Sequence, residues 1–192
     1  MKIIGITGKS GSGKSTLTAE LVKELKCQSV NIDKIGHKAT SNEIISEQLY
    51  KVFGKQILGK EGKIDRKKLG NIVFSDKEKM NILTDITWDY MQKELDEILE
   101  KEKKSGAKNI VLEWALLPIS KYWKACDIKI CMQAEEEQRK SKVIERDGIS
   151  EEYFEKRESG GLNYQIYKFD FIFQNDYKIE TIQKIVRQWG QS

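Results

Sequence analysis

The segment Gly8-Lys9-Ser10-Gly11-Ser12-Gly13-Lys14-Ser15 constrains this chain more than any other part of it. It meets the pattern G-x-x-x-x-G-K-[ST] in full, with an apolar run from Lys2 to Thr7 before it and a helix-patterned stretch after it. Glycines permit turns closed to other residues, so successive amide N–H groups can converge on phosphate oxygens. The helix beginning near Gly13 adds the positive end of its dipole. Lys14 is then placed to bridge terminal phosphates, Ser15 to hold a magnesium ion through its hydroxyl, and Thr16 to touch a phosphate from the next position. The expectation is a cradle for ATP and Mg2+ built from Gly8, Lys9, Ser10, Gly11, Ser12, Gly13, Lys14, Ser15 and Thr16. A chance glycine-rich turn is the alternative, and the strand, spacing and helix together count against it.

Apolar segments rich in β-branched or aromatic residues run Lys2 to Thr7, Gln28 to Ile32, Asn109 to Trp114, Asp127 to Met132 and Phe169 to Phe173. The first, third and fourth are apolar over consecutive positions, as in a parallel sheet covered on both faces. Helical spacing appears in Leu17, Leu21, Val22 and Leu25, and again in Ile179, Ile182, Ile185, Val186 and Trp189. Strands separated by helices predict an open parallel α/β sheet. One long helix is predicted over Lys77 to Lys104, with Met80, Leu83, Ile86, Tyr90, Met91, Leu95, Ile98 and Leu99 on its apolar side and Gly106 as its stop. The charged stretch Glu135 to Arg157 reads either as a mobile helical flap or as a pair of solvated surface helices.

At 192 residues the chain suits one compact unit with insertions, at about 150 residues per domain. No apolar run approaches the ~20 residues of a membrane span, and the first residues are too short for a secretory signal, so a cytoplasmic location is expected. Cys27, Cys126 and Cys131 lack the paired spacing of a zinc site or redox dithiol and read as reduced, mostly buried thiols. A net charge of +4 suits anionic ligands and falls short of a nucleic-acid binder. No interface signature is present, so the oligomeric state stays open with a monomer favoured.

A phosphate loop alone does not separate kinases from switches or motors. An Asn-Lys-x-Asp segment of a guanine-specific switch is missing, since Asn31-Ile32-Asp33-Lys34 has the letters in another order. Asp33 ends the second apolar segment, where open α/β sheets present side chains to ligands. An ionised carboxylate there can accept a hydroxyl proton while a phosphoryl group transfers in line; it can equally cap the next helix. Glu113 closes the third segment and suits either magnesium-bound water or a structural pairing with a lysine. His37, four residues past Asp33, shares a helical face with it and can equally be a satisfied surface histidine.

Taken together, these residues resemble the dephospho-coenzyme A kinase family across nearly the whole chain. The resemblance is carried by Ile4-Gly5-Ile6-Thr7-Gly8 with Gly11 to Thr16, Asp33-Lys34-Ile35-Gly36-His37, Phe53-Gly54, and Gly62-Lys63-Ile64-Asp65-Arg66 with Leu69 and Val73-Phe74. Further along come Leu116-Leu117, Arg146-Asp147-Gly148, Ser150-Glu151-Glu152, Arg157 and a closing strand to Asn175. It implies a P-loop kinase fold, a five-stranded parallel sheet flanked by helices, with a core of 1–33, 105–134 and 166–192, a helical acceptor insertion at about 34–104 and a helical lid at about 135–165. The implied roles are Asp33 as catalytic base, Lys14 on phosphate and Arg146 in the lid over ATP. Asn175 joins the nucleotide site, and His37, Arg66 and Glu113 join the substrate side.

The chain departs from the family pattern at several positions. Thr87-Trp88 replaces a His-Pro pair, so the helix there is expected to run on without its breaker. Ala115 replaces a proline, Lys9 a glycine, Gly161 a glutamine, and Arg139 and Lys142 stand where a glutamine and an arginine are usual. These changes leave two other readings open: a kinase for a different small hydroxyl acceptor such as a nucleoside or nucleotide, and a nucleotide-binding protein without transfer activity.

Overall fold

The computed structural model describes residues 1–74 and 76–190, the side chains of 188–190 excepted. The strands are β1 (Lys2–Thr7), β2 (Gln28–Asn31), β3 (Asn109–Glu113), β4 (Ile128–Ala134) and β5 (Phe171–Asn175). They pair in parallel in the order β2-β3-β1-β4-β5. The helices are α1 (Lys14–Leu25), α2 (Ile32–Ala39), α3 (Glu43–Phe53), α4 (Arg66–Val73), α5 (Lys77–Lys104), α6 (Lys121–Ala125), α7 (Glu136–Asp147), α8 (Glu151–Ser159) and α9 (Ile179–Gly190). The expected α/β fold with a five-stranded parallel sheet is therefore present.

The chain divides into two compact units. One comprises 1–31, 101–151 and 161–192 and holds the sheet; the other comprises 32–100 and 152–160 and is helical. In the sheet unit, Ile4 and Ile6 of β1 pack with Val111, Ile130 and Met132 against Leu17 and Leu21 of α1 and Ile182 and Val186 of α9. Trp189, expected on the same face of α9, has a side chain outside the described residues. The other face is closed at Gly5, where an added Cβ would stand 2.7 Å from Cys126 Sγ and 3.0 Å from Leu117. Both faces of the central strands are thus covered, which is why their sequence is apolar without alternation.

In the helical unit, α5 buries Thr87, Met91 and Leu95, one residue per turn on one side. Gly36 of α2 lies against Met91, whose Sδ and Cε are 3.4 Å from the position of an added Cβ. Caps fix where these helices begin. Asn42 Oδ1 accepts from Ile44 N and Ile45 N, and Asp65 Oδ1 from Lys67 N and Lys68 N. Asp76 Oδ1 does the same for Glu78 N and Lys79 N.

Strand boundaries differ from the sequence expectation in every strand but β1, and β4 and β5 also end two residues later than expected, at Ala134 and Asn175. Ile32 starts α2 instead of ending β2, Trp114 lies beyond β3, β4 begins after Asp127, and β5 begins after Asp170. Two of these shifts share a cause. Asp127 Oδ2 accepts from Ile3 N, and Asp170 Oδ2 from Lys129 N, each at 2.7 Å. In each case a carboxylate takes the first N–H of the neighbouring strand, while the aspartate's own N–H bonds back to that strand, Asp127 N to Ile3 O and Asp170 N to Lys129 O at 2.9 Å each. No helix among the described residues is long and apolar enough to cross a membrane.

Candidate active site

The chain leaves β1 through the glycine-rich loop and enters α1. Gly8, Gly11 and Gly13 have φ of +137°, +80° and +94°, a region that L side chains rarely occupy. Space forbids side chains as well. An added Cβ would come within 2.1 Å of Met132 O at Gly8, 2.5 Å of Val143 at Gly11 and 2.3 Å of Asn175 Nδ2 at Gly13. Unlike α3 and α4, α1 starts without a side-chain cap, at a Gly13 in the left-handed region. Lys14 folds back over the loop, its Nζ donating to Gly8 O and Lys9 O at 2.9 Å each.

At the carboxyl ends of the strands, Ser15 Oγ donates to Glu113 Oε1 at 2.5 Å, and Asn31 Nδ2 reaches the same oxygen at 3.3 Å. Glu113 is buried, and these are its partners in place of the lysine considered from sequence. A hydroxyl and a carboxylate side by side are hard oxygen donors of the kind magnesium takes. Among the described residues no group of three His, Cys, Asp or Glu is placed to hold a metal, so a magnesium ion here would take the rest of its shell from water and phosphate oxygens. Cys131 lies below this end of β4. Burial pushes its thiol up to about 11 although the Lys14 charge pulls the other way, so it stays neutral.

Asn175, at the end of β5, donates from Nδ2 to Ser12 O at 3.2 Å and accepts the Tyr177 N–H at 2.9 Å. Arg146 donates from Nε to Asp147 at 2.7 Å and from Nη2 to Ser10 Oγ at 3.4 Å. Thus Lys14, Ser15, Glu113, Asn175 and Arg146 all gather on or beside the loop. Helix α7 is exposed over most of its length but docks one face, where Val143 and Arg139 are buried and Arg139 Nη1 donates to Ser10 O at 3.0 Å.

Asp33, His37 and Arg66 belong to the helical unit. Asp33 and His37 sit one turn apart on α2, and Arg66 opens α4 behind its Asp65 cap. His37 keeps an exposed face, yet partial desolvation holds its imidazole below the usual histidine value. Arg66 and Arg157 push the same way, while Asp33 opposes them.

The family model for dephospho-CoA kinase matches residues 2–181. The chain belongs to the dephospho-CoA kinase family. A dephospho-CoA kinase of Aquifex aeolicus is 36% identical over 191 residues, covering 98% of this chain and 95% of that protein. A crystal structure from Thermus thermophilus superposes with a TM-score of 0.78 at 27% identity, over 98% of this chain and 95% of the other. A dephospho-CoA kinase from Campylobacter jejuni gives 0.61 at 27% identity, over 99% and 96%. The family chemistry is ATP-dependent phosphorylation of dephospho-CoA in coenzyme A synthesis.

Against the dephospho-CoA kinase pattern, α5 runs unbroken through Thr87-Trp88, as the missing proline implied. Sequence reasoning missed Tyr177, whose hydroxyl donates to Gly11 O at 3.1 Å and whose ring carries Lys142 Nζ 4.8 Å from its centroid. Arg139 was noted only as a departure within a charged run. Its one available signal was the spacing Arg139, Val143, Arg146, which puts all three on one helical face. Nothing local marks Tyr177.

Proposed function

We propose that this chain transfers the γ-phosphoryl group of ATP to the ribose 3′-hydroxyl of dephospho-CoA, yielding coenzyme A and ADP. The observation that carries this reading is the loop itself, with Lys14 folded across it and Ser15 bonded to Glu113, in a chain of this family. Asp33 takes the proton of the 3′-hydroxyl as that oxygen bonds to the γ-phosphorus. The bond from phosphorus to the bridging oxygen breaks, and its electron pair leaves with ADP. Lys14 turns its ammonium from the loop carbonyls to the β- and γ-phosphates. Ser15 and Glu113 would hold magnesium, which would supply neutralisation of charge on the phosphate oxygens.

His37 and Arg66 contact the acceptor within the insertion at about 34–104, and Arg146 belongs to a lid at about 135–165 that excludes water from the nucleotide. We place the enzyme in the cytoplasm, with the oligomeric state open and a monomer favoured, and without a nucleic-acid partner, the last supported by its modest charge of +4. A different hydroxyl acceptor is the second reading, favoured by the unbroken α5 at Thr87-Trp88.

The test is ADP release with magnesium-ATP across a panel of dephospho-CoA, nucleosides and nucleotides. Turnover of dephospho-CoA with a loss of ~100-fold or more in Asp33→Asn is expected. Turnover of another acceptor alone would sink the proposal, and an Asp33→Asn rate within a few fold of wild type would remove Asp33 as the base.

A further inference from the structure

Three consecutive carbonyls of the phosphate loop are each taken by a side chain from elsewhere in the sheet unit. Ser10 O accepts from Arg139 Nη1 at 3.0 Å, Gly11 O from the Tyr177 hydroxyl at 3.1 Å, and Ser12 O from Asn175 Nδ2 at 3.2 Å. In a planar trans peptide the C=O and the following N–H point in opposite directions. Holding these carbonyls on one side therefore turns the N–H groups of Gly11, Ser12 and Gly13 to the other. The Ser12 N–H closes a turn onto Lys9 O at 3.2 Å, and the N–H groups of Gly11 and Gly13 are the ones the proposed nucleotide site would use on phosphate oxygens.

We infer that Arg139 and Tyr177, together with Asn175, are positioning residues that set the orientation of the loop peptides and so preorganise the phosphate cradle. This rests on the proposed nucleotide site and adds to it the machinery that holds the site in shape. The anchors support each other. Asn175 Oδ1 accepts the Tyr177 N–H, Lys142 sits over the Tyr177 ring, and Val143 packs where a Gly11 side chain would go. Arg139 is 2% exposed, and burying a guanidinium so deeply is costly unless its donors are used. Tyr177 has φ of +61°, a strained backbone for a tyrosine, which packing alone does not require. Burial also pushes the Tyr177 phenol above its usual value, so it remains a hydroxyl donor at neutral pH.

The experiment uses Tyr177→Phe, Tyr177→Gly and Arg139→Gln in the full chain, reading ADP affinity by calorimetry, melting temperature, and KM for each substrate. Tyr177→Phe keeps the ring under Lys142 and removes only the hydroxyl. Its expected effect is ADP binding weaker by about 5-fold, with KM for ATP raised, KM for the acceptor unchanged and melting lower by no more than the roughly 2–4 °C of one lost hydrogen bond. Tyr177→Gly relieves the backbone strain yet loses ADP affinity at least as much, which a purely structural residue would not do. Arg139→Gln follows the same pattern; if it fails to fold, the two Tyr177 variants decide the matter. ADP affinity within two-fold of wild type in both Tyr177 variants overturns the inference, as does a parallel rise of both KM values with falling stability. Because ADP binding needs no turnover, a wild-type chain that binds ADP but leaves dephospho-CoA untouched defeats the acceptor assignment and not this one.

Discussion

His37 on α2 is surrounded by Arg66, Arg157 and Asp33, and the net effect with partial desolvation is to disfavour its cation. Its folded-state value lies below that of the unfolded chain, so the unfolded state binds the proton more readily. Stability is then unaffected above about pH 6.5 and is lost as pH falls through the unfolded value toward the folded one. Melting measured between pH 8 and pH 5 is expected to decline at the acid end, and His37→Gln is expected to flatten that decline. An unchanged slope in the variant would show that the carboxylates alone produce it. Other residue-level expectations also find their physical meaning in neighbours. Cys126 and Cys131 are buried, as expected, while Cys27 is only partly so, and burial pushes the first two thiols up to about 12 and about 11. Glu113 was visible as a strand-end carboxylate, but its choice of Ser15 over a lysine depended on which strand lay next to β1.

At the scale of elements, β1 and α5 have the limits expected from sequence, because each carries an unbroken pattern with a clear stop: Gly8 after one, Gly106 after the other. Less was legible where polar side chains replace backbone bonds, as Asp127 and Asp170 do ahead of β4 and β5. The continuity of α5 is itself testable. Thr87→Pro would remove the amide bond to Leu83 O, drive a ring into that carbonyl, and lose the Thr87 hydroxyl bond to the same oxygen, now 2.8 Å. The expected cost is ~3 kcal/mol or more, seen as a melting temperature lower by roughly 6–12 °C. A loss below about 1 kcal/mol would mean that α5 tolerates a proline one residue before the place where the family pattern carries one.

For the molecule as a whole, nucleotide binding should appear as stability. Magnesium-ATP at 100 times its dissociation constant adds about 2.7 kcal/mol, or roughly 5–10 °C in melting temperature for a chain of this size. Gly13→Ala is expected to abolish that shift, because φ of +94° and Asn175 Nδ2 at 2.3 Å leave no room for a methyl group. A full shift in Gly13→Ala would remove the loop from the nucleotide site. Local pattern alone determined the α/β class, the phosphate loop and the long helix, since periodicity, glycine and spacing act over one or two turns of chain. Only the tertiary structure decided that Arg139, Asn175 and Tyr177, 129 to 166 positions from the carbonyls they bond, grip the loop. A hydrogen bond is made by whatever the fold brings within about 3 Å, and strand order rather than sequence distance sets that.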